Sequence, residues 1–229
     1  MVSLLYVNNE TGVINDAVEI SRIVRENNCF IHFDAVQALG KLPHSLFDID
    51  PHFVSYSGHK IGSLKGVGLL FVSSNVDFAS PFKGGSQELG YRPGTYNYLG
   101  IKSLGLAVED ISFSGLEDLK MFRKEFENSL MESNSNFRIN GSESRIYNTV
   151  NLYLAGIDSR EVLLKLSNED IQVSTGSACT AGSVEPSHVI QAMGFERDYA
   201  RSCMRVSFKE KFDYRTFVNS LIFNAKSSS

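Results

Sequence analysis

Apolar residues follow two rhythms along this chain. In the first part, short apolar runs alternate with a stretch of helical spacing. Residues 2–7 form an apolar run closed by Asn-Asn-Glu-Thr-Gly, which predicts a buried strand entering a turn. Asn15 or Asp16 can cap a helix on which Val13, Ala17, Ile20 and Val24 share one face. Residues 29–33 are rich in β-formers and end at Asp34, and 53–56 and 67–72 read as two further short strands. Strands alternating with a helix predict an α/β fold whose sheet is mostly parallel, with ligands at the carboxyl ends of its strands.

From about residue 97 the rhythm changes. Helical spacing over 97–111 and 116–131 leads into the turn-rich stretch SNSNFRINGSES and a strand over 146–154. Asp158 can cap a helix reaching about Leu166. A strand over 171–173 enters a loop of Gly, Ser, Ala and Cys, Pro186 suits the first turn of another helix, and 204–208 is a late strand. The expected organisation is a larger α/β region over 1–96 and a smaller α/β domain over 97–229, with residues 226–229 as a frayed tail.

Composition narrows the function classes. The chain has 229 residues, 42% hydrophobic and 21% charged, with a formal net charge of −4. That balance supports a packed core and argues against direct nucleic-acid binding, which needs clustered cations. No apolar run reaches the ~20 residues of a membrane helix, and the start lacks the basic-then-apolar pattern of a secretion signal. Cys29, Cys179 and Cys203 are odd in number and widely spaced, which suits a reducing cytoplasm rather than a disulfide framework. Without a Cys-x-x-Cys pair, no metal site is expected.

Four stretches carry candidate chemistry. In FVSYSGHKIGSLKGVGLLFV, Lys60 follows a strand, Ser-Gly and a histidine, and precedes a glycine-rich turn. Ser57 and His59 could donate to a phosphate there, and a partly desolvated Lys60 could form a Schiff base; an exposed lysine after a turn is the alternative. In CFIHFDAVQALGK, Asp34 closes a strand, where a carboxylate could pair with a pyridinium nitrogen or simply cap a helix. Gln37 could reach the ring's phenolic oxygen, and His32 on Asp34's face reads as a satisfied core histidine. In YVNNETG, Asn8 and Asn9 are turn formers or, for Asn9, a ligand to a ring substituent and a substrate carboxylate. In VSTGSACTAGSVEPSHVI, Cys179 sits among small residues, the setting of an accessible nucleophilic thiol rather than a core cysteine. Cys29, in a strand, and Cys203, beside the late strand, fit the core.

Together VNNETG, HFDAVQALGKLP, SYSGHK, KGVGLLFV, RPGT and GSACTAGSVEPSHV, in that order from Met1 to about residue 210, resemble the NifS/IscS-type cysteine desulfurases of the class-V aminotransferase group. The resemblance implies the C-terminal part of the large domain of a fold-type-I transferase dependent on pyridoxal 5'-phosphate, plus a smaller C-terminal α/β domain, and usually a homodimer. It implies Lys60 as the Schiff-base lysine, Asp34 as the pyridine-nitrogen partner, Gln37 and Asn9 at the phenolic oxygen, and Ser57 and His59 on the phosphate. Thr95 matches the threonine that reaches the neighbouring subunit's phosphate. Arg205 matches the arginine gripping the substrate carboxylate, and Cys179 the cysteine that becomes a persulfide. The implied reaction turns L-cysteine into L-alanine and passes sulfur to an acceptor, a scaffold for iron–sulfur clusters or a protein of tRNA or cofactor thiolation. The resemblance starts at mid-sheet, so it implies an N-terminally truncated form: the family's phosphate-cradling glycine/threonine loop and ring-stacking histidine have no counterpart. KIGSLKG lacks the usual Tyr-Gly-Pro after the lysine, Ser86 and Leu89 stand where Gly and Arg are common, and Ser-Phe-Lys follows the Arg205-Val pair. The alternatives are a non-catalytic interaction module and a selenocysteine lyase or another class-V enzyme.

Overall fold

A computed structural model of the chain describes residues 1–43, 46–154, 156–176 and 185–227, leaving aside the side chain of Phe47. The chain divides into two compact units, Met1–Val7 with Asn15–Ser114, and Asn8–Ile14 with Gly115–Ser229.

The first unit is built on a four-stranded sheet in the order β1 (Val2–Leu5), β2 (Ile31–Asp34), β3 (Phe53–Ser57), β4 (Gly68–Val72). The first two pairings are parallel and the third is antiparallel. A parallel pair needs a crossover, and α1 (Ala17–Glu26) supplies it between β1 and β2. Asp16 caps α1 by accepting from the Glu19 amide at 3.0 Å, and Ala17, Ser21 and Val24 form its buried stripe. Ile31, Phe33 and Val54 are fully buried on one face of the sheet. By strand alternation and register, the opposite face carries Ser3, His32, Asp34, Ser55 and Ser57. β4 can lie against β3 only because position 68 is glycine: a Cβ there would come within 2.6 Å of the Tyr56 carbonyl oxygen.

Helix α2 (Tyr98–Glu109), which the sequence pattern assigns to the second region, groups instead with the first unit. Ser103 explains this, because its hydroxyl accepts from the Ser63 hydroxyl at 3.1 Å and the Leu64 amide at 2.9 Å, fastening α2 to the turn after Lys60.

The second unit holds an antiparallel sheet, β5 (Arg138–Asn140), β6 (Thr149–Tyr153) and β7 (Cys203–Ser207), in that order. Its helices are α3 (Leu116–Ser133), α4 (Ser159–Ser167), α5 (His188–Ala192), α6 (Arg197–Arg201) and α7 (Tyr214–Lys226). Val150, Leu152, Met204 and Val206 meet Phe126 and Leu130 of α3, Val162 and Leu166 of α4, and Phe217 and Leu221 of α7 in one core. On the other sheet face, register places Asn140, Asn151 and Arg205 side by side.

Three local expectations change. The stretch 171–173 is not a strand; only Ser174 is bridged, to Arg205, so the ladder is too short to continue. Pro186 precedes the cap of α5 rather than starting the helix, since Ser187 accepts from the Ile190 amide at 3.1 Å. Cys29 is half-buried in the turn ahead of β2, its amide bonded to the Val24 carbonyl at 3.1 Å, and not in the strand.

Candidate functional site

The first unit gathers its candidates at the carboxyl edge of the parallel strands. Asp34 ends β2 and Ser57 ends the adjacent β3. A single 3-10 turn, Gly58–Lys60, follows, and Lys60 is exposed at its end. The turn is closed by the Gly58 carbonyl, which accepts from the Ile61 and Ser63 amides at 3.0 and 3.1 Å. Gly58 is buried, and a Cβ on it would stand 3.0 Å from Ser63. The lysine therefore projects from a rigid corner rather than a free loop.

Ser57 Oγ and His59 Nδ1 are 2.8 Å apart, so the two expected phosphate ligands already form a polar pair beside Lys60. Asp34 Oδ1 accepts from the Val36 amide at 3.0 Å. The residues that follow form a turn and not a helix, so this bond closes a turn rather than capping a helix, and it engages one carboxylate oxygen. Gln37 sits in the turn after Asp34, its carbonyl oxygen accepting from the Lys41 ammonium. His32 has partners at both ring nitrogens, 2.7 Å from Ser3 Oγ and 2.8 Å from Ser55 Oγ, as expected, but it is half-buried on the polar sheet face and not in the core. Thr95 is exposed in the stretch ahead of α2, and its carbonyl accepts from Arg92 at 3.3 Å.

The second unit holds Asn9 and Arg205 together. Arg205 Nη1 donates to the Asn9 carbonyl at 2.8 Å. The turn is made by Asn8, whose Oδ1 accepts from the amides of Glu10 and Thr11 at 2.9 Å each. Between the two asparagines, turn formation falls to Asn8. Cys179 lies outside the described residues. Cys203 is buried, donates to the Tyr199 carbonyl at 3.2 Å and accepts from Asn140 at the same distance. Burial pushes its thiol up to about 12, with the Asn140 bond opposing, so it stays protonated.

Sequence reasoning passed over Glu10 and Ser187, though both stand inside quoted motifs. Glu10 is 1% exposed, and Ser187 donates its hydroxyl to Glu10 Oε2. Glu10 follows two asparagines and reads as one more polar turn residue, while its partner lies far along the chain.

An amine, a carboxylate, an amide and a hydroxyl–imidazole pair at one strand edge make a donor set that fits pyridoxal phosphate: a carbonyl-reactive group, a partner for a protonated ring nitrogen, and acceptors and donors for its oxygens. Among the described residues no His, Cys, Asp and Glu cluster could hold a metal ion.

The aminotransferase class-V sequence family matches residues 1–213. The chain belongs to that family. Within this class-V group it is 37% identical over 215 residues to a cysteine desulfurase of Gluconacetobacter diazotrophicus, covering 92% of this chain and 54% of that one. It superposes on a NifS-like protein of Rickettsia africae with a TM-score of 0.87 at 29% identity, over 98% of this chain and 61% of the other. A structure described as SspA in complex with cysteine matches at TM-score 0.73 and 32% identity, over 90% of this chain and 58% of that one. The chain spans about half the length of the curated relatives it matches. Those neighbours carry the fold-type-I architecture expected from the sequence.

Proposed function

We propose that this chain carries the lysine-bearing part of a cysteine desulfurase, converting L-cysteine to L-alanine and placing the sulfur on Cys179. One observation carries the reading. The exposed amine of Lys60, the Ser57–His59 pair and the Asp34 carboxylate occupy the carboxyl ends of adjacent parallel strands, the position at which α/β sheets bind ligands. Class-V membership and relatives named cysteine desulfurase support it over an interaction module or a selenocysteine lyase.

Pyridoxal 5'-phosphate, when bound, supplies an electron sink at the substrate's α-carbon. Lys60 would anchor it, Asp34 would keep its ring nitrogen protonated, Gln37 and Asn9 would face its phenolic oxygen, and Ser57 and His59 its phosphate. Thr95 would act on the cofactor of a second copy in a homodimer. Arg205 would bind the substrate carboxylate through its guanidinium. Its Asn9 contact orients one end of that group, which limits the geometries open to a carboxylate.

Freed of its cofactor link, the Lys60 amine can take a proton from the substrate α-carbon, pass the substrate thiol's proton to the β-carbon and return a proton to the α-carbon. The Cys179 thiolate attacks the substrate sulfur: an S–S bond forms, the Cβ–S bond breaks, and its electron pair stays on carbon to be protonated. The products are alanine and a Cys179 persulfide, with atoms and charge balanced. The persulfide passes to an acceptor protein of iron–sulfur assembly or of tRNA or cofactor thiolation. The setting is cytoplasmic, a reading consistent with the described residues, among which no helix is long and apolar enough to cross a membrane.

The test titrates the chain with pyridoxal phosphate and follows visible absorbance, with Lys60→Ala as control. A lysine-dependent band supports the site, and a band equal in both chains sinks it. Sulfide and alanine released from L-cysteine, with Cys179→Ala as control, decide the reaction. Alanine without dependence on Cys179 would refute the sulfur route.

A further inference from the structure

Gln37 and Lys41 meet within one stretch of turns in the first unit. The Leu39 amide donates to the Ala35 carbonyl at 3.4 Å and the Leu42 amide to the Ala38 carbonyl at 3.0 Å, so residues 35–42 wind with four-residue spacing without becoming a helix. That spacing brings side chains four apart together, and the Lys41 ammonium donates to the Gln37 side-chain oxygen. Both residues are half-buried. The winding ends against the lysine corner. Gly40 has a φ of +73°, and a Cβ on it would stand 3.2 Å from Ile61, the residue after Lys60. A side chain there would be both strained and crowded, so glycine lets the turn that carries Gln37 and Lys41 seat beside the turn that carries Lys60.

The chemistry of the pair fixes which end of the Gln37 amide is which. An ammonium has three donors and no acceptor, so the atom it meets must be the carbonyl oxygen. The NH2 group then diverges from Lys41, and it can only donate. A charged donor on the carbonyl also polarises the amide and strengthens its N–H groups. A phenolic oxygen facing such a donor is favoured in its ionised, accepting form.

We infer that Lys41 is a positioning residue: by holding the Gln37 carbonyl oxygen it makes the Gln37 NH2 the group presented to the cofactor's phenolic oxygen, so that Gln37 acts there as a donor. Lys41 touches no reacting atom and acts through Gln37 alone. The cofactor side of this inference rests on the desulfurase reading; the Lys41–Gln37 latch itself does not.

Two measurements on the full chain test it. The first follows the Gln37 side-chain amide signals by proton–nitrogen NMR, assigned by their absence in Gln37→Leu. In the parent they are expected away from their urea-unfolded position. Lys41→Met should move them towards it, and Lys41→Arg, which keeps a cationic donor, should restore the parent shift. The second measures the pyridoxal-phosphate dissociation constant from the Lys60-dependent band. Lys41→Met should raise it about two- to tenfold, the factor of one net hydrogen bond, and Lys41→Arg should return most of that loss. Gln37→Leu should raise it by as much or more, and adding Lys41→Met to Gln37→Leu should change it no further. Gln37→Glu, which keeps an acceptor for Lys41 but lacks the donor, should bind no better than Gln37→Leu. A purely structural role for Lys41 would instead weaken binding in both backgrounds. Parent signals at the unfolded position, an unchanged constant in Lys41→Met, or additive effects overturn the inference. If Lys41→Met does not fold, the parent's Gln37 signals decide it. Absence of any Lys60-dependent band would sink the desulfurase reading, and the amide signals would still decide the latch.

Discussion

The two units treat their sheets in opposite ways. In the second, β6 is buried along Thr149, Val150, Asn151 and Leu152, and the helices α3, α4 and α7 close over one face with Phe126, Leu130, Leu166 and Leu221 fully buried. In the first, the burial of Ile31, Phe33 and Val54 on one sheet face does not extend across β4. Leu69 and Leu70 of β4 are each about half exposed, and on α2 Tyr98 and Leu99 are exposed at 72% and 78%. Parallel sheets are normally covered on both faces. The lesson is a division of labour: the second unit owns a self-contained core, while the first presents an open polar edge with Asp34, Ser57 and Lys60 on it.

This contrast should first show in stability. Phe126 is fully buried and meets the rings of Phe212, Tyr214 and Phe217 at centroid distances of 5.4, 6.1 and 5.6 Å. Phe126→Ala should cost about 3–5 kcal/mol in urea unfolding followed by tyrosine fluorescence. Leu69→Ala, on the open strand, should cost under about 0.5 kcal/mol. Equal costs would erase the distinction between the units.

A somewhat smaller effect is expected at the second unit's buried charges. Glu127 lies 3.5 Å from the Arg123 guanidinium and 3.1 Å from that of Arg145, and both arginine side chains are 5% exposed. Arg123 also donates to the Ile146 carbonyl at 2.8 Å. Burial lowers the Arg123 pKa from its ordinary value, with Glu127 opposing. Glu127→Ala leaves two buried cations facing each other and should destabilise by about 3 kcal/mol in the same assay. A loss under 1 kcal/mol would mean that the cluster behaves as a surface network.

Most elements of both units were legible in sequence, β2, β3 and β4 in the first and α3, β6, α4 and β7 in the second. The first unit's strands are short apolar runs that stop at Gly, Asp or Ser, so β2, β3 and β4 and the edge at Asp34 and Lys60 could be read directly. The second unit's contacts join distant positions and leave no local mark. Nothing near Glu10 announces Ser187, and nothing near Asn140 announces Asn151 or Cys203. Elements were missed for the same reason: β5 has only the three residues Arg138–Asn140 and draws its order from pairing with β6. Helix α2 shows the converse, since its helical spacing was plain while the bonds from Ser63 and Leu64 to its Ser103 were not.

Cysteine chemistry sharpens the comparison further. Cys203 opens β7 in the sealed unit, and burial holds its thiol neutral, raised to about 12. At pH 8 its alkylation in the folded chain should be at least about a hundredfold slower than in the urea-unfolded chain, because only the thiolate reacts. Cys29, half-buried in the first unit, is the comparison. Comparable folded rates at the two cysteines would show that the second unit opens as readily as the first.

The smallest effect separates the helix caps. Asp16 caps α1 in the first unit and Asp158 caps α4 in the second, each accepting an amide at 3.0 Å. Either Asp→Ala change should cost about 1 kcal/mol. Asp158 also bonds the Arg160 guanidinium, which holds its carboxyl below the ordinary 3.8, the burial effect opposing. A depressed folded pKa means the stabilisation is complete above the unfolded value and is lost as the pH falls through the folded one. The linked loss therefore begins below about pH 4. Asp158→Asn keeps an acceptor for the Arg160 amide but cannot titrate. Its Tm should therefore fall less steeply than the parent's between about pH 4 and pH 2, and parallel Tm curves would show that this carboxyl contributes nothing to acid unfolding.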